Sequence, residues 1–256
     1  MTKSVAIVTG ASSGIGKATA LRLSRDFSSV VLVARDAERL AEVARQVEKT
    51  GADALGLELD LSTASAAETV IERTLARFGR IDALANIAGA VAGLDVFQMS
   101  DEQWQSALAL KFHGARRLTI RAWEALKAAK GAVVFISGNA AEIPKAAAAA
   151  VGSINAAIEA LAKAFADRGL EDGVQVNSVS PGAIMTGRRL SMLERTAAAQ
   201  KIALDAAKQQ FLRQAGIGRF GAPEEVADLM AFILSPSARW MTGTVLRMDG
   251  GEVKTV

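Results

Sequence analysis

Thr9-Gly10-Ala11-Ser12-Ser13-Gly14-Ile15-Gly16 is the segment of this chain best suited to holding a charged ligand. It follows the apolar run Val5–Val8 and precedes the helical pattern Lys17–Ser24, an order that reads strand, turn, helix. Glycines permit a tight turn and let the backbone come close to a pyrophosphate, and the N-terminus of the following helix offers free N–H groups to the anion. Glycine-rich turns are common, so the triplet alone would say little; its place between strand and helix makes it a nucleotide-phosphate cradle.

Other reactive side chains are scarce. The chain has no cysteine, no tyrosine and one histidine, His113, which excludes disulfide, thiolate and phenol chemistry. No group of His, Asp and Glu has metal-ligand spacing, so no metal is expected. The net charge of +3 is small, and the Lys and Arg residues are spread without a base-stacking aromatic cluster, which argues against nucleic acid. Arg116-Arg117 and Arg188-Arg189 read as solvated faces or local anion contacts. No uninterrupted apolar stretch of about 18 residues occurs, so no membrane span is expected. Met1 leads within a few residues into the first strand, leaving no room for a signal sequence. With the absence of cysteine, this points to a cytoplasmic protein.

Alternating elements must position the cradle. Short β-branched runs at Val30–Val33, Ala83–Leu84, Ala132–Ile136 and Gln175–Val179 are interleaved with helical stretches at Ala37–Lys49, Ala64–Arg77, Asp101–Ala129 and Ile154–Arg168. Such alternation specifies a parallel sheet covered by helices on both faces. With 50% apolar residues, 22% charged and no linker or repeat, residues 1–256 read as a single domain. Two segments break the rhythm. Ala146–Ala150 reads as a small-residue helix start or packing loop, and Thr186–Gly216 as an Ala-rich helical insertion beyond the carboxyl end of a strand, placed as a lid over residues 186–216.

Six motifs in order resemble the short-chain dehydrogenase/reductase family across nearly the whole chain. They are Thr9–Gly16, Asp60-Leu61, Asn86-Ile87-Ala88-Gly89, Asn177–Gly182 with Thr186, Arg219–Ala227, and Thr242-Gly243 with Asp249-Gly250-Gly251. The resemblance implies a Rossmann-type, doubly wound α/β fold with a seven-stranded parallel sheet, and a homotetramer or dimer. It also implies cofactor contacts: Gly10, Ser12, Ser13, Gly14, Ile15 and Gly16 at the pyrophosphate, Asp60 and Leu61 at the adenine, Asn86, Ala88 and Gly89 along the adenosine and ribose. Pro181, Gly182, Ile184 and Thr186 would hold the nicotinamide carboxamide. At the end of the second strand an acidic residue favours NAD and an arginine favours NADP. Ala34-Arg35 stands there, so NADP is favoured over NAD, and Asp36 reads as the N-cap of the next helix.

The catalytic positions that the resemblance implies are all changed. The family's Tyr-x-x-x-Lys register falls on Val151-Gly152-Ser153-Ile154-Asn155, its serine, thirteen residues before the tyrosine, on Gly138, and its asparagine, seven residues after Trp104, on Lys111. Ser137 is adjacent but expected to point to the other side of the strand. Lys111 and Asn155 look like an exchange of the family's Lys and Asn between facing positions. Lys111 could therefore serve as a substitute proton donor or Schiff-base amine, or simply be paired or snorkelling to water. Asn139, Glu142, Lys145 and Ser153 add polar groups nearby, and His113 is expected to face away, toward solvent or a subunit contact. Three functions stay open: an NADP-binding protein without the standard oxidoreductase activity, an NADP-dependent oxidoreductase using Lys111, and a lyase or isomerase in the old pocket.

Overall fold

The computed structural model describes residues 4–254. Its seven strands form one parallel sheet in the order β3-β2-β1-β4-β5-β6-β7. The strands are β1 (Val5–Thr9), β2 (Ser29–Ala34), β3 (Asp53–Glu58), β4 (Ala83–Asn86), β5 (Ala132–Ile136), β6 (Gln175–Pro181) and β7 (Val245–Met248). Every residue of β1, β2, β4, β5 and β6 is buried, as expected of parallel strands covered on both faces.

The two-residue period of each strand divides the core. Ala6 and Val8 of β1 join Val30, Leu32 and Val134 on the face covered by α1 (Gly14–Leu23), α2 (Ala37–Glu48) and α9 (Pro223–Ile233). Val5 and Ile7 join Val31, Val133 and Phe135 on the other face, covered by α3 (Ala66–Phe78), α5 (Ala115–Ala129) and α6 (Ala149–Asp172). Asp172 fastens the last two together: it accepts from Trp123 Nε1 at 2.8 Å and pairs with Lys127 at 2.7 Å. These partners hold its carboxyl well below the usual range. By length and composition α6 with the short turn before it could cross a membrane, which the sequence was not expected to allow; its Ile154, Ile158, Ala162 and Ala166 are buried, and 33% of its most apolar window is buried.

Two of the expected elements are divided differently, and a third is as expected. The helix expected over Asp101–Ala129 consists of α4 (Asp101–Ala107), a π-helical segment Leu108–Gly114, and α5. The Ala146–Ala150 run splits between a 3₁₀ turn, Ala146–Ala148, and the start of α6. Thr186–Gly216 holds the expected helices, α7 (Gly187–Gln200) and α8 (Leu204–Ala215), over a small cluster of Ala183, Leu212 and Ile217.

From β1 the chain winds outward to β3 and then crosses back to β4, so β1 and β4 are neighbours at the switch point of the sheet. In such sheets the crevice beyond the carboxyl ends of these strands is the ligand site.

Candidate functional site

That crevice is a cleft of about 480 Å³ running from the β1–α1 turn to Lys111 and Val151. Its turn is built for close approach. Gly10 has φ +66°, and a Cβ on it would lie 3.1 Å from the Ala88 Cα; a Cβ on Gly16 would lie 2.1 Å from the Gly10 carbonyl oxygen. Only glycine meets both demands. The N-cap residue of α1, Ser13, gives no side-chain hydrogen bond, whereas Asp36 caps α2 by accepting from Arg39 N and Thr186 caps α7 by accepting from Arg189 N. The first N–H groups of α1 thus stay available beside the cleft, the arrangement a pyrophosphate fits. Beneath, Thr9 Oγ1 accepts from both Ile87 N at 2.8 Å and Ala88 N at 2.9 Å, locking the β4 loop to the turn.

At one end of the cleft stand two guanidiniums. Arg35 was expected; Arg39, in the first turn of α2, was missed, although its spacing of four from Arg35 across the capped helix start is visible in the sequence. Both are mostly exposed, with Arg35 3.8 Å from Asp60 and Arg39 3.3 Å from Asp36.

At the other end Lys111 sits in the middle of the π-helical segment, a type of backbone irregularity common at functional sites. Its ammonium donates to the Ser137 carbonyl at 3.2 Å and, in a short contact, to Asn155 Oδ1. The two exchanged positions therefore face and bond one another. Burial, reinforced by the Arg188 guanidinium, pulls the Lys111 pKa down to about 8. Gly138 has no side chain, and a Cβ there would lie 2.8 Å from Asn155 Nδ2, so the asparagine occupies space a serine would need. Val151 lines the cleft with methyl groups alone. Ser137 also lines it, but its hydroxyl turns away, donating to Glu159 Oε1 at 2.6 Å. Burial raises the Glu159 carboxyl against that hydrogen bond.

Most, but not all, of the residues expected at the cofactor line the cleft. Gly10, Ser12, Ser13, Gly14, Ile15, Gly16, Arg35, Leu61, Ala88, Gly89, Pro181 and Thr186 line the cleft; Asp60, Asn86, Gly182 and Ile184 do not. Asn86 is buried behind the cleft, donating to Thr119 Oγ1 at 3.0 Å. Asp60 accepts from Ser62 N at 2.9 Å, and this bond depresses its pKa. A Cβ on Gly182 would lie 2.7 Å from Asp249 Cβ, so that glycine admits the residue that follows β7. Ile184 bridges to Gly221 in a separate hollow. Of the polar neighbours, Glu142 pairs with Arg247 at 2.6 Å, while Ser153 and Lys145 are exposed outside the cleft. His113 does not line it either; its ring meets Phe112 edge-on at 5.2 Å. The arginine pair at the start of α7 is not simply solvated: Arg189 lies over the Phe211 ring at 4.7 Å, and Arg188 lines the cleft.

Comparison with known proteins accords with this geometry. A family model described as enoyl-(acyl carrier protein) reductase matches residues 10–252. A 3-oxoacyl-[acyl-carrier-protein] reductase of Synechocystis sp. is 31% identical over 256 residues, covering 99% of this chain and 98% of the relative. The short-chain reductase protein NovJ of Streptomyces niveus is 28% identical over 251 residues, 98% of this chain and 94% of NovJ. Among solved structures, L-sorbose reductase from Gluconobacter frateurii, complexed with NADPH and L-sorbose, superposes with a TM-score of 0.95 at 30% identity, covering 99% of this chain and 98% of that one.

Proposed function

Since this chain belongs to the short-chain dehydrogenase/reductase family, we propose that it binds NADP(H) in the β1–β4 cleft and lacks the hydroxyl groups that drive the family's alcohol–ketone chemistry. The observation that carries this reading is the contrast between the two ends of one cleft. The glycine turn, the uncapped α1 start and the Arg35–Arg39 pair suit a dinucleotide with a 2′-phosphate. The end at Lys111 is lined by Val151, with Gly138 next to the lining Ser137, at the positions where a proton donor and a carbonyl-polarising hydroxyl are needed.

NADPH, when bound, supplies a hydride to an acceptor carbon. Reduction of a carbonyl also requires a proton at its oxygen, and a positioned acid contributes about 10²–10⁴-fold in rate. Val151 and Gly138 can give none. Lys111 keeps an ammonium in the cleft from the π-helical segment instead of from α6, with two of its three N–H groups given to Ser137 and Asn155. The third suits a ribose hydroxyl.

The depressed Lys111 favours a second reading, in which that ammonium is the acid of a reductase. The two readings share the cofactor and differ in turnover.

Calorimetry tests the cofactor. NADPH binds more tightly than NADH, and Arg35→Ala or Arg39→Ala narrows the preference about 10–100-fold, the scale of a charge-assisted hydrogen bond. Equal affinity for both cofactors in the unaltered protein would contradict the reading.

We further propose a homo-oligomer in which α5 and α6 pack against their symmetry mates, covering Ile120 and Leu170, which are exposed in the single chain. Light scattering then gives more than one chain per particle; a monomer at micromolar concentration would overturn the assignment.

A further inference from the structure

Among the described residues four cations line the cleft and no Asp or Glu does. Arg35 and Arg39 each have a carboxylate within 4 Å, at 3.8 and 3.3 Å. Lys111 and Arg188 have none among the described residues. Both converge on Gly89. The Lys111 stem lies against its α-carbon, with Cδ 3.0 Å from where a Cβ would stand, and the Arg188 guanidinium donates from Nη2 to its carbonyl oxygen at 2.7 Å.

Arg188 belongs to the first turn of α7, which is fixed at its start by the Thr186 cap. Thr186 in turn touches the glycine turn, its Cγ2 3.3 Å from where a Cβ on Gly14 would lie. The arm thus spans the cleft from the glycine turn to the β4 loop. A neutral carbonyl is a modest partner for a guanidinium, which has five donors in a planar fork matched to carboxylate and phosphate. Exchange of the carbonyl for an oxyanion gains a charge-assisted, bidentate pair, with a second cation, Lys111, beside it.

We propose that Arg188 receives an oxyanion, a carboxylate or phosphate group, carried by a second ligand that binds beside the cofactor at the Lys111 end. The proposal rests on the NADP(H) reading above. The alternative source of the same chemistry is the cofactor's own pyrophosphate, and the test separates the two.

Protein is first titrated with NADPH and NADP⁺, for the unaltered chain and for Arg188→Ala and Arg188→Lys. The NADP⁺-saturated forms are then titrated with inorganic phosphate, followed by ³¹P line broadening. The unaltered protein is expected to bind phosphate saturably, Arg188→Ala to weaken that binding about tenfold and Arg188→Lys less, since lysine keeps charge but not the fork. Cofactor affinity stays within about threefold in all three, because the pyrophosphate is met by backbone N–H groups. A pyrophosphate source would show instead as a tenfold loss of NADPH affinity in Arg188→Ala with no saturable phosphate binding, which overturns the proposal. Phosphate binding that is absent, or indifferent to Arg188→Ala, overturns it too. Failure of the unaltered chain to bind NADP⁺ refutes the underlying reading by itself. The phosphate arm is then decided on cofactor-free Arg35→Ala/Arg39→Ala protein, where loss on adding Arg188→Ala supports the oxyanion site and no loss overturns it.

Discussion

Combining Val151→Tyr, Asn155→Lys, Gly138→Ser and Lys111→Asn is expected to raise NADPH-dependent reduction of a reactive diketone or quinone by about 10³-fold or more over the unaltered protein. The size follows from restoring a proton donor and a carbonyl-polarising hydroxyl, worth roughly 10²–10⁴- and 10²–10³-fold singly. Geometry explains why all four must change together. A side chain on Gly138 meets Asn155 Nδ2 at 2.8 Å, so Gly138→Ser alone collides with the asparagine. Asn155→Lys alone would set two ammonium groups against each other, because Asn155 Oδ1 now accepts from Lys111. Val151→Tyr alone gains a phenol with no neighbouring hydroxyl at position 138. Catalytic groups that act as a unit are strongly non-additive, so single changes should give little. Steady-state rates on the parent, the singles and the quadruple variant decide this.

The second large effect concerns Lys111. Lys111→Met is expected to weaken NADPH about 10–100-fold near neutral pH, the loss of a hydrogen bond from a charged donor. The pH dependence has a definite sign. Burial and Arg188 hold the group at about 8, so the donor is an ammonium below that pH and an amine above it. Affinity in the unaltered protein therefore falls as pH rises through about 8, and a bound partner that favours the charged form raises the pKa, so binding takes up protons just above it. Lys111→Met loses this dependence. Calorimetry in buffers of different ionisation enthalpy measures the uptake directly; an affinity that is flat in pH, or unchanged in the variant, would remove Lys111 from the cofactor site.

How much of this could be read from residues varies with the physics of each element. The β1–turn–α1 unit was legible because glycine spacing and apolar periodicity agree. β3 and β7 were not read from hydrophobic pattern, since both lie at sheet edges and are only partly buried. The π-helical segment was hidden because residues 101–129 keep a helical composition throughout, and a wider turn leaves no compositional mark. The Lys111–Asn155 exchange was visible only through the family resemblance, whose catalytic register falls on these two positions. That the two side chains bond depends on the packing of the π-helical segment against α6, and that Asn155 fills the room beside Gly138 and Ser137 turns to Glu159 depends on the packing of the end of β5 against α6; none of these has a local signature. Asp60, Asn86, Gly182 and Ile184 were placed at the ligand through motif position and are not among the residues lining the cleft: Asp60 accepts from Ser62, Asn86 donates to Thr119, Gly182 packs against Asp249 and Ile184 lines a separate hollow. Arg39 and Arg188 lie outside those motifs, and only the fold aims them inward.

The central claim is that this chain holds NADPH without supplying the proton for carbonyl reduction, and it is tested most directly by watching NADPH already bound to the protein. NADPH is bound in slight deficit, a panel of reactive diketones and quinones is added, and the absorbance of the reduced nicotinamide is followed beside the quadruple variant. The account predicts tight binding, weaker for NADH, and an absorbance that persists in the parent while it decays in the variant. Decay in the parent as fast as in the variant would contradict it, and a large slowing of that decay by Lys111→Ala would transfer the proton to the Lys111 ammonium.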